Sequence, residues 1–277
     1  MRAGAAPVGG AQARPGSPHE DLTRRGSRIR SLVRPAIAPL LDFLFPQCCL
    51  ACGHRLADGD ALLCAPCMRR APWLSPDDEA LRLARIRLRT GSGVEDVNAL
   101  WHFEGPVRDL VHSIKYGGLW SAAGAAGEWL GQHLERAPDR WLPDLIIPVP
   151  LHPARLRERG YNQSAWIARG VSRISGVPVC ENAAVRTRDT ATQTSLDHLR
   201  RRENVAGAFC VRRPEIVRDA RVLIVDDVVT TGATVGALAR ALLQSGCRAC
   251  SAAGLAIAPG DAAPGDVAPA EAPGSSG

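Results

Sequence analysis

The run Val222-Leu223-Ile224-Val225-Asp226-Asp227-Val228-Val229-Thr230-Thr231-Gly232-Ala233-Thr234-Val235 decides the fold. Its first four residues, apolar and rich in β-branches, predict a strand buried on both faces, as in a parallel sheet. Asp226 and Asp227 follow where that strand is expected to leave the sheet. After the polar loop 230–234, Val235, Leu238, Ala239 and Leu242 fall at helical spacing. In open α/β sheets ligands gather outside the carboxyl ends of the strands, and a helix N-terminus offers unpaired N–H groups to an anion. Gly232 lets the backbone, with Ala233, curl around a phosphate, and the hydroxyls of Thr230, Thr231 and Thr234 can donate to its oxygens. The two carboxylates can accept from vicinal hydroxyls of a ribose or orient waters on Mg²⁺. Together these features predict a sugar-phosphate site. No G-x-x-x-x-G-K-[ST] loop and no G-x-G-x-x-G fingerprint occurs anywhere in the chain.

Upstream, Leu145 to Pro150 reads as a second buried strand, closed by prolines. Arg155, Arg157 and Arg159 follow at once, and three arginines alternating along a loop at the exit of a core strand suit a diphosphate. A salt-bridged surface is the alternative reading of the same stretch. Asn162 is placed to cap a helix running to Ser175. Val97 to Phe103 is a predicted strand, and Pro106 opens a helix whose apolar face is Val107, Leu110, Val111 and Ile114. Gly117-Gly118 ends that helix, which puts Lys115 at its C-terminal edge. Trp120 to Leu134 is another predicted helix, and Ala252 to Ala258 a last strand.

Composition bounds the rest. At 277 residues, one medium α/β domain plus a small module is the natural expectation. No apolar run reaches the length of a membrane span, and the N-terminus lacks a signal-like apolar core, so a cytoplasmic protein is expected. Residues 1–30 and 260–277 are biased in composition and expected to be disordered. Of the 34 basic residues, Lys115 alone is a lysine. A lysine that escapes such a skew is a candidate for a role arginine cannot fill, such as a compact ammonium against a phosphate.

Five of nine cysteines fall between Cys48 and Cys67. The pairs Cys49-x2-Cys52 and Cys64-x2-Cys67 have the spacing by which thiolates grip one tetrahedral Zn²⁺, with Gly53 allowing the tight turn of a knuckle. Cys48 and His54 are alternative ligands, and Cys49 is preferred because it reproduces the spacing of the second pair. Four protein thiolates leave no open coordination position, so the zinc is expected to be structural. Four thiolates and one Zn²⁺ would lower the formal net charge of +6 to about +4. Residues 31–70 thus form the expected zinc module, 71–95 a charged connector, and 96–259 the main domain. Cys247-x2-Cys250 lacks a second pair and is read as packing, while Cys180 and Cys210 are read as core.

The stretch 222–235 resembles the phosphoribosyl-pyrophosphate (PRPP) motif of type I phosphoribosyltransferases. With Phe45-Pro46 before the cysteines, Lys115-Tyr116-Gly117-Gly118 and Arg159-Gly160-Tyr161-Asn162-Gln163, the chain is identified as a member of the ComF family over roughly residues 40–259. The resemblance implies a parallel-sheet α/β phosphoribosyltransferase fold preceded by a cysteine-rich zinc module. It also implies PRPP with Mg²⁺ as ligand, with pyrophosphate near Arg157 and Arg159 and Lys115 lining the site. Tyr161, Asn162, Gln163, Arg186, Gln193, Arg202 and Asn204 are implied as lid, acceptor or DNA contacts, the last four in a hood that closes over PRPP. Single-stranded DNA, beside a competence helicase, is the implied partner in DNA uptake.

Two functions compete. The first is a PRPP site, in which transfer passes through a cationic sugar-like transition state and needs charge placement and water exclusion rather than a nucleophile. No Ser/His/Asp or Cys/His triad is identifiable, which fits that chemistry, and no residue names an acceptor. The second is a non-catalytic single-strand-binding module on the same fold. A zinc-stabilised interaction protein with a degenerate site is the third option, disfavoured by the intact acidic pair and phosphate loop.

Overall fold

The computed structural model describes residues 47–137, 142–188 and 207–258. Along it run α1 (Ala65–Arg69), α2 (Glu79–Ser92), β1 (Val94–His102), α3 (Gly105–Tyr116), α4 (Trp120–Arg136) and β2 (Leu145–Pro148). There follow α5 (Pro153–Arg159), α6 (Gln163–Ser175), β3 (Ala184–Arg186), β4 (Phe209–Val211), α7 (Pro214–Val217), β5 (Arg221–Val229), α8 (Ala233–Gln244) and β6 (Ala249–Ile257). The expected terminal segments and Phe45-Pro46 lie outside the described residues.

Four strands form a parallel sheet in the order β1-β6-β5-β2. Alternation along β5 divides the core in two. Leu223 and Val225 join a cluster built from α3, α4 and α6, while Val222 and Ile224 join one built from α2, α7 and α8. The strand is therefore buried on both faces, as the continuous apolar run predicts. It is also longer than expected. Backbone pairing with β6 continues through Asp226↔Gly254, Val228↔Ala256 and Val229↔Ile257, so the acidic pair lies inside the strand.

Beyond Val225 the other neighbour is missing, because β2 ends at Pro148, paired with Val225. The proline cannot donate to a ladder, and the chain turns away after Val149 N–H donates to the Val225 carbonyl at 2.9 Å. This leaves a crevice on one side of Asp226 and Asp227, the setting in which open α/β sheets bind ligands.

Helix α6 lines that crevice because α4 lets it come close. A Cβ on Gly127 would lie 2.2 Å from the Ile167 carbonyl oxygen, and one on Gly170 would lie 2.2 Å from that of Gly124. The Ala/Gly face of α4 thus sets backbone against backbone. On α3, Val107, Leu110, Val111 and Ile114 are buried, the predicted apolar face.

The stretch 71–95, expected as a connector, contains α2. Asp78 accepts from Ala80 N–H to cap it, and Leu81, Ala84 and Leu88 pack into the second cluster. Arginines at alternate positions obscured that helical period. The antiparallel pair β3–β4 flanks residues 189–206, which lie outside the described residues. Cys210 is exposed rather than core, because β3–β4 is a two-stranded ribbon with an open face, and Cys180 is half-buried at the edge of the second cluster. Cys247 and Cys250 are buried, as packing requires.

Candidate functional site

Asp226 and Asp227 are held by three separate elements. Ser164 Oγ donates to Asp226 Oδ1 at 2.9 Å, and Gln163 Nε2 donates to Asp227 Oδ2 at 3.0 Å, both from the first turn of α6. Lys115 Nζ, from the last turn of α3, lies 3.1 Å from the same Asp227 oxygen. Backbone N–H groups complete the set, Asp227 N donating to Asp226 Oδ1 at 2.9 Å and Val228 N to Asp227 Oδ1 at 2.7 Å. Of the pair's four carboxylate oxygens, this leaves Asp226 Oδ2 alone without a partner among the described residues. Asp227, buried at 4% exposure, is spent on internal contacts, and Asp226 is the carboxylate that can meet a ligand.

The charge of the pair is set by that environment. Burial, and then the neighbouring Asp227 carboxylate, push the Asp226 carboxyl up to about 7, against the opposing pull of the Ser164 hydroxyl and the Lys115 ammonium. Asp226 therefore exchanges a proton near neutral pH, and a ligand that needs its anion competes with that proton. A hard, oxygen-seeking Mg²⁺ with its shell of waters fits a half-exposed carboxylate of this kind.

The supporting frame explains why α6 starts where it does. Asn162 Oδ1 accepts from Ser164 N–H at 3.1 Å, capping the helix as predicted, and its Nδ2 donates to the Val149 carbonyl at 3.0 Å. One side chain thus fastens the helix start to the end of β2. Tyr161 donates its hydroxyl to the Ile114 carbonyl, tying the same turn to α3 one residue before Lys115. Burial raises the Tyr161 phenol above its ordinary range, so it remains a donor.

The segment 155–159, expected as a loop, is the helix α5, capped by His152 Nδ1 and ended by Gly160 at φ +78°. Arg159 is half-buried, with its guanidinium 5.3 Å from the centre of the Tyr116 ring, beside Lys115. Arg157 is exposed on the same helix. Two residues apart on a helix, the pair does not share a face, so only Arg159 is brought against the α3 terminus.

Gly232 occupies the left-handed region at φ +75° as the residue before α8. A Cβ there would meet the Leu88 side chain at 2.8 Å, so both backbone and space require glycine. Thr231 Oγ1 accepts from Ala233 N–H at 3.4 Å, while Thr230 is exposed and Thr234 half-buried. Arg186 sits on β3 with its guanidinium 5.8 Å from the Phe209 ring centre, away from the acidic pair's contacts. Gln193, Arg202 and Asn204 lie outside the described residues. Gln163, expected as a lid, acceptor or DNA contact, is buried and donates to Asp227. Ser164 was missed by sequence reasoning; its signal was its place directly after a capping Asn and Gln, at a helix start aimed at the crevice.

The second site is the cysteine cluster. The Sγ atoms of Cys49, Cys52, Cys64 and Cys67 all lie within 4.8 Å of one another, and those of Cys52 and Cys64 are 3.6 Å apart. Tetrahedral Zn–S bonds of about 2.3 Å place sulfurs roughly 3.8 Å apart, so the set fits. Gly53 at φ +74° turns the knuckle, with its N–H donating to the Cys49 carbonyl at 2.9 Å. Burial pushes the Cys67 thiol up to about 12, although Arg70 beside it pulls the other way, so a cation is needed to make it a thiolate. Cys48 and His54 stay exposed and outside the cluster. The module packs on the core of α3, and Ser113 Oγ donates to the Leu50 carbonyl at 3.0 Å, so the cysteines brace the helix that presents Lys115.

The Phosphoribosyl transferase domain family matches residues 142–263. The DNA utilization protein YhgH of Salmonella typhi is 32% identical over 207 residues, 73% of this chain and 79% of its own length. YhgH of Escherichia coli K12 is 37% identical over 52% of this chain, and the chain spans 64% of that relative's length. Competence protein F of Haemophilus influenzae is 39% identical over 42% of this chain and 52% of its own. The sheet, crevice and acidic pair therefore belong to a phosphoribosyltransferase fold preceded by a cysteine cluster.

Proposed function

Because the chain belongs to the ComF family, we propose that it binds PRPP with Mg²⁺ in the crevice beside Asp226, in a competence-associated role of the kind its relatives' names describe. The observation that carries this is the acidic pair at the open edge of β5, neutralised from α3 by the chain's one lysine and followed by the Gly232 turn into α8. Asp226 Oδ2 would accept from a ribose hydroxyl or hold a water of Mg²⁺. The 5′-phosphate would rest on the loop Thr230 to Thr234, and the pyrophosphate would lie near Arg159 and Lys115, with Arg157 further out. Bound Mg²⁺ supplies charge neutralisation for the pyrophosphate. Asp227 orients Lys115, and Gln163 fixes Asp227. Zn²⁺ in the four-cysteine cluster is structural in this reading, and the thiolates suit a cytoplasmic, reducing compartment. Among the described residues, no helix is long and apolar enough to cross a membrane.

Calorimetric titration with PRPP should show Mg²⁺-dependent binding that Asp226→Ala abolishes. Unchanged affinity in that variant would remove the assignment.

A second reading is favoured by the rim of the crevice. Trp120, 51% exposed, packs at a tilt of 34° against Trp166 with ring centres 4.6 Å apart, Arg169 lies over Trp166 at 4.4 Å, and Tyr116, 60% exposed, carries Arg159. Aromatic faces paired with arginines are the platforms on which single-stranded nucleic acid stacks. We propose single-stranded DNA as a ligand of this rim, with a competence helicase as its delivering partner. Affinity for a labelled oligonucleotide should fall with salt by about 0.7 log units per decade per phosphate contact. No binding at low salt, or full binding by Trp120→Ala, would remove it.

A further inference from the structure

A cavity of about 320 Å³ lies between α2 and the start of α8. It backs onto the phosphate loop, since Thr231, Gly232 and Leu88 line it, whereas none of Lys115, Gln163, Asp226 and Asp227 does. Its charged lining residues are Arg87 from α2 and Arg240 from α8, and among the described residues no acidic side chain lines it. Arg240 Nη1 donates to the Gly91 carbonyl at 3.0 Å, which fixes that guanidinium between the two helices. Arg87 is half-buried, and its guanidinium makes no hydrogen bond or ion pair among the described residues. Two guanidinium groups facing one cavity without a counter-charge repel each other and lose hydration, a cost that an anion between them offsets.

We propose that this cavity is a second anion site, separate from the acidic-pair crevice, that takes the phosphate monoester of a small metabolite. Guanidinium forks match phosphate oxygens two at a time. The volume exceeds the needs of a bare phosphate and falls at the low end of small-ligand pockets, roughly 300–1000 Å³. The organic part of the ester would lie along the Leu88 side chain and the bare backbone at Gly232 and Gly236. A Cβ at Gly236 would come within 3.0 Å of Ser92 Oγ, so glycine holds this wall back. The cavity shares Thr231, Gly232 and Ala233 with the loop proposed above for a 5′-phosphate, and dependence on Arg87, which lies outside the acidic-pair crevice, distinguishes the two sites.

Isothermal titration of the full chain in EDTA and low salt tests it, with AMP in one arm and inorganic phosphate in the other. Arg87→Gln should weaken AMP about tenfold or more, the loss expected for one charge-assisted contact, with an unchanged melting temperature. Arg87→Lys should recover part of the loss, and Arg89→Gln, an exposed control on the same helix, should bind AMP within about twofold of the parent chain. AMP should bind more tightly than inorganic phosphate. The proposal is overturned if the parent chain does not bind AMP, if Arg87→Gln binds it as the parent does, or if Arg89→Gln loses as much. Equal affinity for the two probes overturns the ester assignment.

Discussion

Asp226 is held against its own chemistry, and replacing it with asparagine should reveal the cost. The carboxyl ordinarily titrates near 3.8 and is pushed up to about 7 by burial and by Asp227. A raised acid binds its proton more strongly in the folded chain than in the unfolded one. Folding stability therefore falls as pH rises from about 4 to about 7, and levels off above that. Each pH unit of that interval is worth about 1.4 kcal/mol, so from pH 5 to pH 8 the parent chain should lose roughly 3 kcal/mol through this residue. Asparagine keeps the shape and the acceptor for Ser164 but does not titrate. Urea unfolding of both chains across this range reads out Asp226 together with its coupling to Asp227, since the remaining titrating groups are common to both. Asp226→Asn should gain on the parent by about 3 kcal/mol between pH 5 and pH 8, with no further gain above pH 8. A constant difference across the range would refute the reasoning, showing that the buried pair is not strained by charge.

Two further outcomes follow from the supporting frame. The cysteine cluster should contain one zinc per chain by elemental analysis. Because structural zinc sites contribute on the order of 10 kcal/mol, exhaustive chelation or Cys67→Ser should abolish the near-ultraviolet signal of the Trp73–Trp101 pair, whose ring centres are 5.2 Å apart. Retention of that signal in zinc-free protein would show that the module folds without metal. Gly127→Ala places a methyl 2.2 Å from the Ile167 carbonyl oxygen and should cost about 3 kcal/mol in urea unfolding, with parent-like stability counting against the close α4–α6 packing.

Much of this protein was legible in its sequence because the signals were local. The apolar run of β5, the amphipathic face of α3, the Asn162 cap and the paired CxxC motifs each depend on residues a few positions apart, where spacing and propensity suffice. The family's motifs lie in these same local stretches. Helix α2 was missed because its arginines fall on both sides of a three-residue apolar stripe, and only packing on β1 and α8 decides which side is buried. The segment 155–159 was misread because charge spacing says nothing about whether a cap at His152 and a glycine at position 160 will close a helix around it. By itself the sequence determined a parallel α/β phosphoribosyltransferase fold, a four-cysteine cluster and an acidic pair directly following the apolar run of a core strand. The division of labour within the site was decided only by tertiary structure. Lys115, Gln163 and Ser164 reach Asp226 and Asp227 from segments roughly 60 to 110 residues away in the chain. Which carboxylate is spent on them and which stays open depends on where β2 stops, because that end leaves the edge of β5 free for α6 to fill.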